Sequence, residues 1–340
     1  MIVSNRIISM SPKVSIIITV YNCEKYIEKC VRSLFEQTLD GIEYIFVNDA
    51  TPDKSIEILK STIEDYPARK YQIKIINLEV NGGVSNARRV GIKKATGEYI
   101  IHTDSDDWVE KEMYERLYLI AKETDADIVG CNFIHEFPNM QYEFHQQYAN
   151  NIEENIRRLI DGRIFPSLCT SLTRRSVIER NGISFPTGLN MGEDLYFNIQ
   201  LYLHAKRIES LCWAPYHYRH TEDSSCIKHT WESVDSDIKI AGMIEQLFRE
   251  KKFYTLYAKE IEYRKLYSKM PLIIYFDRID NYKKWLKIYP ETHKHIMSFK
   301  QFNLYLRLEL WFAAHKMFYM SQVIRDTILF VHNCKIKILQ

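Results

Sequence analysis

No run of 18 or more apolar residues occurs anywhere in this 340-residue chain, which argues against membrane-spanning helices. The first twelve residues carry no cleavable signal pattern, so the protein is expected in the cytoplasm, with the inner face of the membrane as a second location. The seven cysteines (Cys23, Cys30, Cys131, Cys169, Cys212, Cys226 and Cys334) are odd in number, scattered and never spaced C-x-x-C. Neither a disulfide framework nor a zinc site is therefore expected, and a reducing compartment fits. A Walker A loop and a G-x-G-x-x-G turn are both missing, which removes the P-loop and dinucleotide readings. Glycine is nearly lacking from the last third, with ten of eleven at or before Gly192 and only Gly242 beyond.

What is there is an ordinary globular composition, 46% hydrophobic and 26% charged, which excludes a disordered or collagen-like chain. The net charge of +2 hides an asymmetry: acids exceed Lys and Arg by 6 up to Val234, and Lys and Arg exceed acids by 8 after it. Two parts are expected: a domain over residues 1–230, and a helical, basic, aromatic-rich region over residues 231–340.

Residues 13–20 (K-V-S-I-I-I-T-V) form a β-branched run suited to a strand buried on both faces of a parallel sheet. Ile27, Cys30, Val31, Leu34 and Phe35 then follow helical spacing, with Asn22 available as a cap. Strands over 43–47, 73–77 and 98–103 alternate with helices around Leu59 and over 84–95; a further helix near 113–122 and strand near 127–133 follow. This alternation predicts right-handed βαβ units in an open, mostly parallel α/β sheet flanked by helices, where ligands bind beyond the carboxyl ends of the strands.

Three such ends are polar without an evident structural need: Thr19–Asn22, Asn48–Thr51 and His102–Asp107. Asp104 and Asp106, two residues apart where a strand frays, supply hard oxygen ligands for Mg²⁺ or Mn²⁺; the other reading is a solvated acidic turn before a helix near Glu110. Asp49 reads either as an Asx-turn or cap for a helix opening at Pro52-Asp53, or as an acceptor for a base or ribose. In N-G-G-V-S-N-A-R-R (81–89) a glycine turn meets a helix start with Arg88 just inside, which suits an anion as well as a plain turn. Glu193 and Asp194 precede an apolar helical stretch and read as first-turn acids or as a general base. His217 and His220 stand near Arg219 as metal or phosphate contacts, or as packed surface groups.

Taken in order, Y-N-C-E-K-Y-I, F-V-N-D-A-T-P-D, N-G-G-V-S-N-A-R-R-V-G-I, G-E-Y-I-I-H-T-D-S-D-D and G-E-D-L-Y-F resemble the family 2 glycosyltransferases of the GT-A fold. The resemblance runs over residues 13–219. It implies a metal-dependent (Mn²⁺ or Mg²⁺), inverting transferase that moves a sugar from a nucleoside diphosphate donor, UDP by default, to a hydroxyl of a glycan or lipid-linked glycan in cell-surface polysaccharide synthesis. By that resemblance Thr19, Tyr21 and Asp49 hold the nucleoside, Arg88 lies near the donor, Asp104 is the ribose-side acid, Asp106 the metal ligand, and Asp194 the base with Glu193 beside it. Two positions depart from the family pattern: Asn48-Asp49 stands where two acids are common, and Arg88-Arg89 where Arg-Asn is common.

The basic, aromatic stretch 302–331 suits an anionic membrane surface, core packing or self-association into a homo-oligomer. No basic-aromatic module for nucleic acid is present. Two other functions compete: a non-catalytic glycan-assembly module that keeps the fold, and a nucleotidyltransferase. The latter wants a basic, Gly-rich loop after the first strand, which Tyr21-Asn22-Cys23-Glu24 does not supply.

Overall fold

The computed structural model describes residues 11–189, 191–220, 230–275 and 279–327. The chain divides into two compact units, one ending at Ser224 and the other starting at Ser225.

The first unit begins with β1 (Val14–Val20), whose Ile and Val side chains are buried on both faces. The helix α1 (Ile27–Phe35) buries the five residues at helical spacing, Ile27, Cys30, Val31, Leu34 and Phe35. Next come β2 (Ile42–Asn48), α2 (Ser55–Glu64), β3 (Ile73–Asn77), α3 (Val84–Lys94) and β4 (Tyr99–Asp104). The remainder is β5 (Trp108–Val109), α4 (Met113–Thr124), β6 (Ile128–Phe137), β7 (Met140–Phe144), α5 (Ile152–Ile160), β8 (Ser171–Arg174), α6 (Arg175–Asn181), α7 (Glu193–His204) and β9 (Ile208–Arg219). The nine described strands form one sheet in the order β3-β2-β1-β4-β8-β6-β9-β5, with β7 paired to β6. The first four are mutually parallel, β8 runs against both β4 and β6, and β9 is parallel to β6. This is the expected open sheet flanked by helices.

Close packing ties the helices to this sheet. A Cβ added to Gly91 on α3 would collide with Ile17 on β1, so only glycine lets this helix lie where it does. Two local expectations fail. Asn22 does not cap α1: the helix starts after Tyr26, while Asn22 sits at φ 51° and donates its N–H to Thr51 Oγ1 at 2.9 Å. Nor does α2 open at Pro52. It begins at Ser55, because Asp53 takes the Ser55 N–H at 3.1 Å and the Glu24 N–H at 2.9 Å, joining the two loops.

The second unit is helical as expected: α8 (Trp231–Glu250), α9 (Tyr254–Lys269), α10 (Pro271–Ile274), α11 (Ile279–Lys287) and α12 (Leu304–Ala314). Its core gathers Leu266, Ile273, Trp285, Phe299 and Phe302, with Leu310 and Ala313 from α12. The aromatic stretch expected over 302–331 is thus partly core, and its helix is interrupted at Lys316, which lies at φ 61°. Among the described residues no helix is long and apolar enough to cross a membrane. The five described cysteines are free.

Candidate active site

Strand register gathers the site. In the parallel sheet Thr19 pairs with Asp104, Val20 with Asn48, and Asn48 with Asn77, so the polar ends of four strands lie side by side. These ends lie beyond the hydrophobic runs that fix the strands, where backbone and side chains are free to meet a ligand. Thr19 closes this row and Tyr21, just past it, is 46% exposed.

Asp49 is buried, and its carboxylate holds the glycine turn, accepting the N–H of Gly82 at 2.8 Å and of Gly83 at 2.9 Å. It neither caps α2 nor forms an Asx-turn of its own; it pins the loop after β3 to the end of β2. Gly83 sits at φ 80°, a conformation that favours glycine, and it directs the chain into α3.

Arg88, on the second turn of α3, is buried and bound by three acids. Its Nη2 lies 3.1 Å from Asp104 Oδ1 and its Nη1 3.3 Å from Glu193 Oε1, while Nη1 also donates to Asp194 Oδ1. One guanidinium therefore unites the end of β4 with the start of α7. A buried cation of this kind requires such partners, since an unpaired one costs several kcal/mol. Burial raises the Asp194 carboxyl well above the usual range; Arg88 opposes the rise, and Glu193 and Asp104 add to it. Once ionised, a carboxylate of raised basicity is a competent proton acceptor.

Asp106 differs from its neighbours. Among the described residues its carboxylate has no side-chain hydrogen bond; burial, then the charge of Asp104, raises it to about 6, opposed by its own backbone N–H and then by Arg219. Asp107, which the sequence left without a role, is tied down by the Tyr216 hydroxyl and by the Arg219 N–H at 2.8 Å, so it shapes the loop. No group of three or more His, Cys, Asp or Glu among the described residues is arranged around a metal. The donor set nonetheless fits a hard divalent cation. Asp104 and Asp106 are close carboxylates with excess negative charge, and Mg²⁺ takes one or two carboxylates with the rest of its shell from water and substrate phosphates.

The histidines do not join them. His217 is held by both nitrogens, Nδ1 3.0 Å from Glu136 and Nε2 3.1 Å from Glu110, and stacks on Trp108 at 3.4 Å. His220 Nε2 lies 2.7 Å from His135 Nδ1, and its ring stacks on Phe137. Both are therefore part of the β6–β9 packing rather than a metal shell. The alternating apolar and aromatic pattern of β6 and β9 was the signal available for that.

The sequence profile of Glycosyl transferase family 2 matches residues 15–182. The putative glycosyltransferase EpsH of Bacillus subtilis is 32% identical over 259 residues, 74% of each chain. The uncharacterized glycosyltransferase EpsJ of the same organism is 38% identical over 222 residues, 63% of each chain. The chain belongs to the family 2 glycosyltransferases. Staphylococcus aureus TarS, a poly(ribitol-phosphate) beta-N-acetylglucosaminyltransferase, is 28% identical over 241 residues, 68% of this chain and 40% of TarS. A crystal structure of TarS 1–349 in complex with UDP-GlcNAc superposes with TM-score 0.70 at 22% identity, covering 93% of this chain and 91% of the other, and so has the same fold.

Proposed function

We propose that residues 1–230 form an inverting, metal-dependent glycosyltransferase that moves a sugar from a UDP-linked donor to a hydroxyl of a glycan or lipid-linked glycan in cell-surface polysaccharide synthesis. The observation that carries this reading is the junction of Arg88 with Asp104, Glu193 and Asp194. It sets a cation and an elevated carboxylate beside an acidic strand end.

In this reading Thr19, Tyr21 and Asp49 hold the nucleoside, Asp49 partly by fixing the glycine turn. Asp104 meets the ribose side. Asp106, with Asp104 beside it, would hold Mn²⁺ or Mg²⁺, which would supply positive charge against that developing on the departing diphosphate. Arg88 faces the same developing charge. Asp194 takes the proton of the acceptor hydroxyl as that oxygen attacks the anomeric carbon from the side opposite the diphosphate. One displacement inverts the centre, whereas retention would require a carboxylate to form a glycosyl-enzyme intermediate first. Glu193 shares Arg88 and keeps Asp194 oriented. The relatives' names and the UDP-GlcNAc bound to TarS support a UDP-sugar and a cell-surface polymer.

Beyond residue 230, Leu304, Tyr305, Trp311, Met317 and Tyr319 are exposed in a region whose Lys and Arg outnumber its acids. That chemistry supports peripheral contact with an anionic membrane.

The function is tested by incubating the full chain with a panel of UDP-, GDP- and ADP-sugars and following nucleotide release. Release from a UDP-sugar that stops on chelation and returns with Mn²⁺ is expected. Release equal with and without chelator removes the metal from the reading. The absence of release from every donor, with no nucleotide bound, favours a non-catalytic assembly module instead.

A further inference from the structure

We propose that a second pocket, between the start of α3 and the 186–189 loop, binds a phosphate-ester group carried by the acceptor, with Arg89 as its cation and Ser85 as its hydroxyl donor. The proposal rests on the transferase reading only for the source of the anion; the pocket itself stands on geometry.

The cavity encloses about 180 Å³ and is lined by Gly83, Val84, Ser85 and Arg89 on one side and by Thr187 and Gly188 on the other. The 186–189 loop runs toward α7, the helix that carries Glu193 and Asp194. Four features make this pocket attractive to an anion. First, the earliest bonds of α3 run from the Asn86 and Ala87 N–H groups to the Gly83 carbonyl. The Val84 and Ser85 N–H groups therefore precede any intrahelical acceptor and mark the positive end of the helix. Second, Asp49 occupies the Gly82 and Gly83 N–H groups with both of its oxygens, so its charge is already met on the other side of the turn.

Third, Ser85 is only 8% exposed, yet its hydroxyl has no hydrogen-bond partner. Leaving such a group unpaired is costly, and an anion's oxygen is the acceptor it lacks. Fourth, Arg89 donates to Asn86 Oδ1 at 2.8 Å and, among the described residues, pairs with no carboxylate. Arg88, one residue before it, is bound by three. Consecutive helical residues point about 100° apart, so the two arginines serve different faces of α3. Arg88 belongs to the acids of the donor site, and Arg89 lines the pocket.

The donor diphosphate is assigned to the Arg88 and Asp106 side. A second anion at Arg89 therefore belongs to the other substrate, and the pocket selects acceptors that carry phosphate next to the hydroxyl being glycosylated.

The test is a ³¹P NMR titration of the full chain with methyl phosphate, first without UDP and then with saturating UDP and Mg²⁺. Saturable binding is expected in the unmodified protein, weakened about tenfold by Arg89→Gln, restored in large part by Arg89→Lys and weakened less by Ser85→Ala. UDP affinity should stay unchanged in all three variants. Equal methyl phosphate affinity in Arg89→Gln and the unmodified chain, or no saturable binding, overturns the pocket. Displacement of methyl phosphate by UDP overturns the assignment to the acceptor, because the donor diphosphate then fills the pocket. Arg89-dependent binding in a protein that binds no UDP supports the anion pocket and overturns the transferase reading instead.

Discussion

Arg88 Nη2 lies 3.1 Å from Asp104 Oδ1, across 16 residues of sequence, and the same guanidinium reaches Glu193 and Asp194 more than a hundred residues later. One side chain thus links the end of β4 to the start of α7. Without it three carboxylates would face each other in a partly buried space.

Arg88→Gln should therefore cost stability as well as function. Removing one partner of a buried ionic cluster typically costs about 3–5 kcal/mol, and the solvent exposure of Asp104 and Asp194 places this case nearer 2–3 kcal/mol. Urea unfolding of the full chain checks this. A loss below about 0.5 kcal/mol would mean that the cluster relaxes freely.

Asp106 should trade stability for function. In the folded chain it is pushed up to about 6, from an ordinary aspartate value of 3.8. The folded chain therefore holds a proton that the unfolded chain has released, and the stability this gives is present at low pH and lost as pH rises through about 6. Asp106→Asn should stabilise the metal-free protein by about 1–2 kcal/mol near pH 7.5 and by almost nothing near pH 4. Thermal unfolding at the two pH values measures the difference. An Asn variant less stable at the higher pH contradicts the assignment.

Much of the first half of the fold is legible from sequence because each signal is local. The β-branched run of β1, the five-residue stripe of α1 and the residues of β3 need only their own neighbours. What is not legible depends on contacts far along the chain. Asn22 looks like a cap until Thr51 takes its N–H, and Pro52 looks like a helix start until Asp53 organises the loop. Asp49 is recognisable as a polar strand end, but its hold on Gly82 and Gly83 requires β2 and β3 to be adjacent. Likewise Glu193 and Asp194 read locally as first-turn acids; only the fold brings Arg88 to them. The mostly exposed β7 and the four-residue β8 carry no apolar run, and pairing alone defines them.

Gly91→Ala tests the packing of α3 on β1. The new methyl group would meet the Ile17 side chain, and overpacking of this kind costs about 1–3 kcal/mol. Since α3 also carries Arg88, nucleotide affinity should fall with it. Calorimetry on the variant at a temperature where it remains folded separates the two effects; a variant as stable as the parent would show that α3 can shift without loss.

Asp194→Asn should leave UDP affinity within about twofold while lowering transfer by about 10²–10⁴, the usual contribution of a positioned proton acceptor. Transfer rates and UDP binding measured on the same preparation decide it. Full transfer in this variant would assign the base elsewhere, with Glu193 the nearest candidate.

The second unit has a pH response of its own. Lys269 is fully buried, donating to the Ile288 carbonyl at 2.6 Å and the Tyr289 carbonyl at 3.1 Å, and burial lowers it to about 7. A lysine lowered in the folded state opposes folding while it must be charged, so stability should rise between about pH 7 and pH 10 as the folded chain releases the proton first. Urea midpoints of the full chain across this range, compared with Lys269→Met, measure the slope. An unchanged slope in the variant would remove Lys269 as its source.

The most direct test of the central claim is a calorimetric titration of the full chain with UDP, with and without Mn²⁺, beside GDP and ADP. Metal-dependent binding of UDP that is lost in Asp106→Ala is the predicted result. Binding of no nucleoside diphosphate under either condition would contradict it, and would leave the site as a folded but inactive remnant of the family.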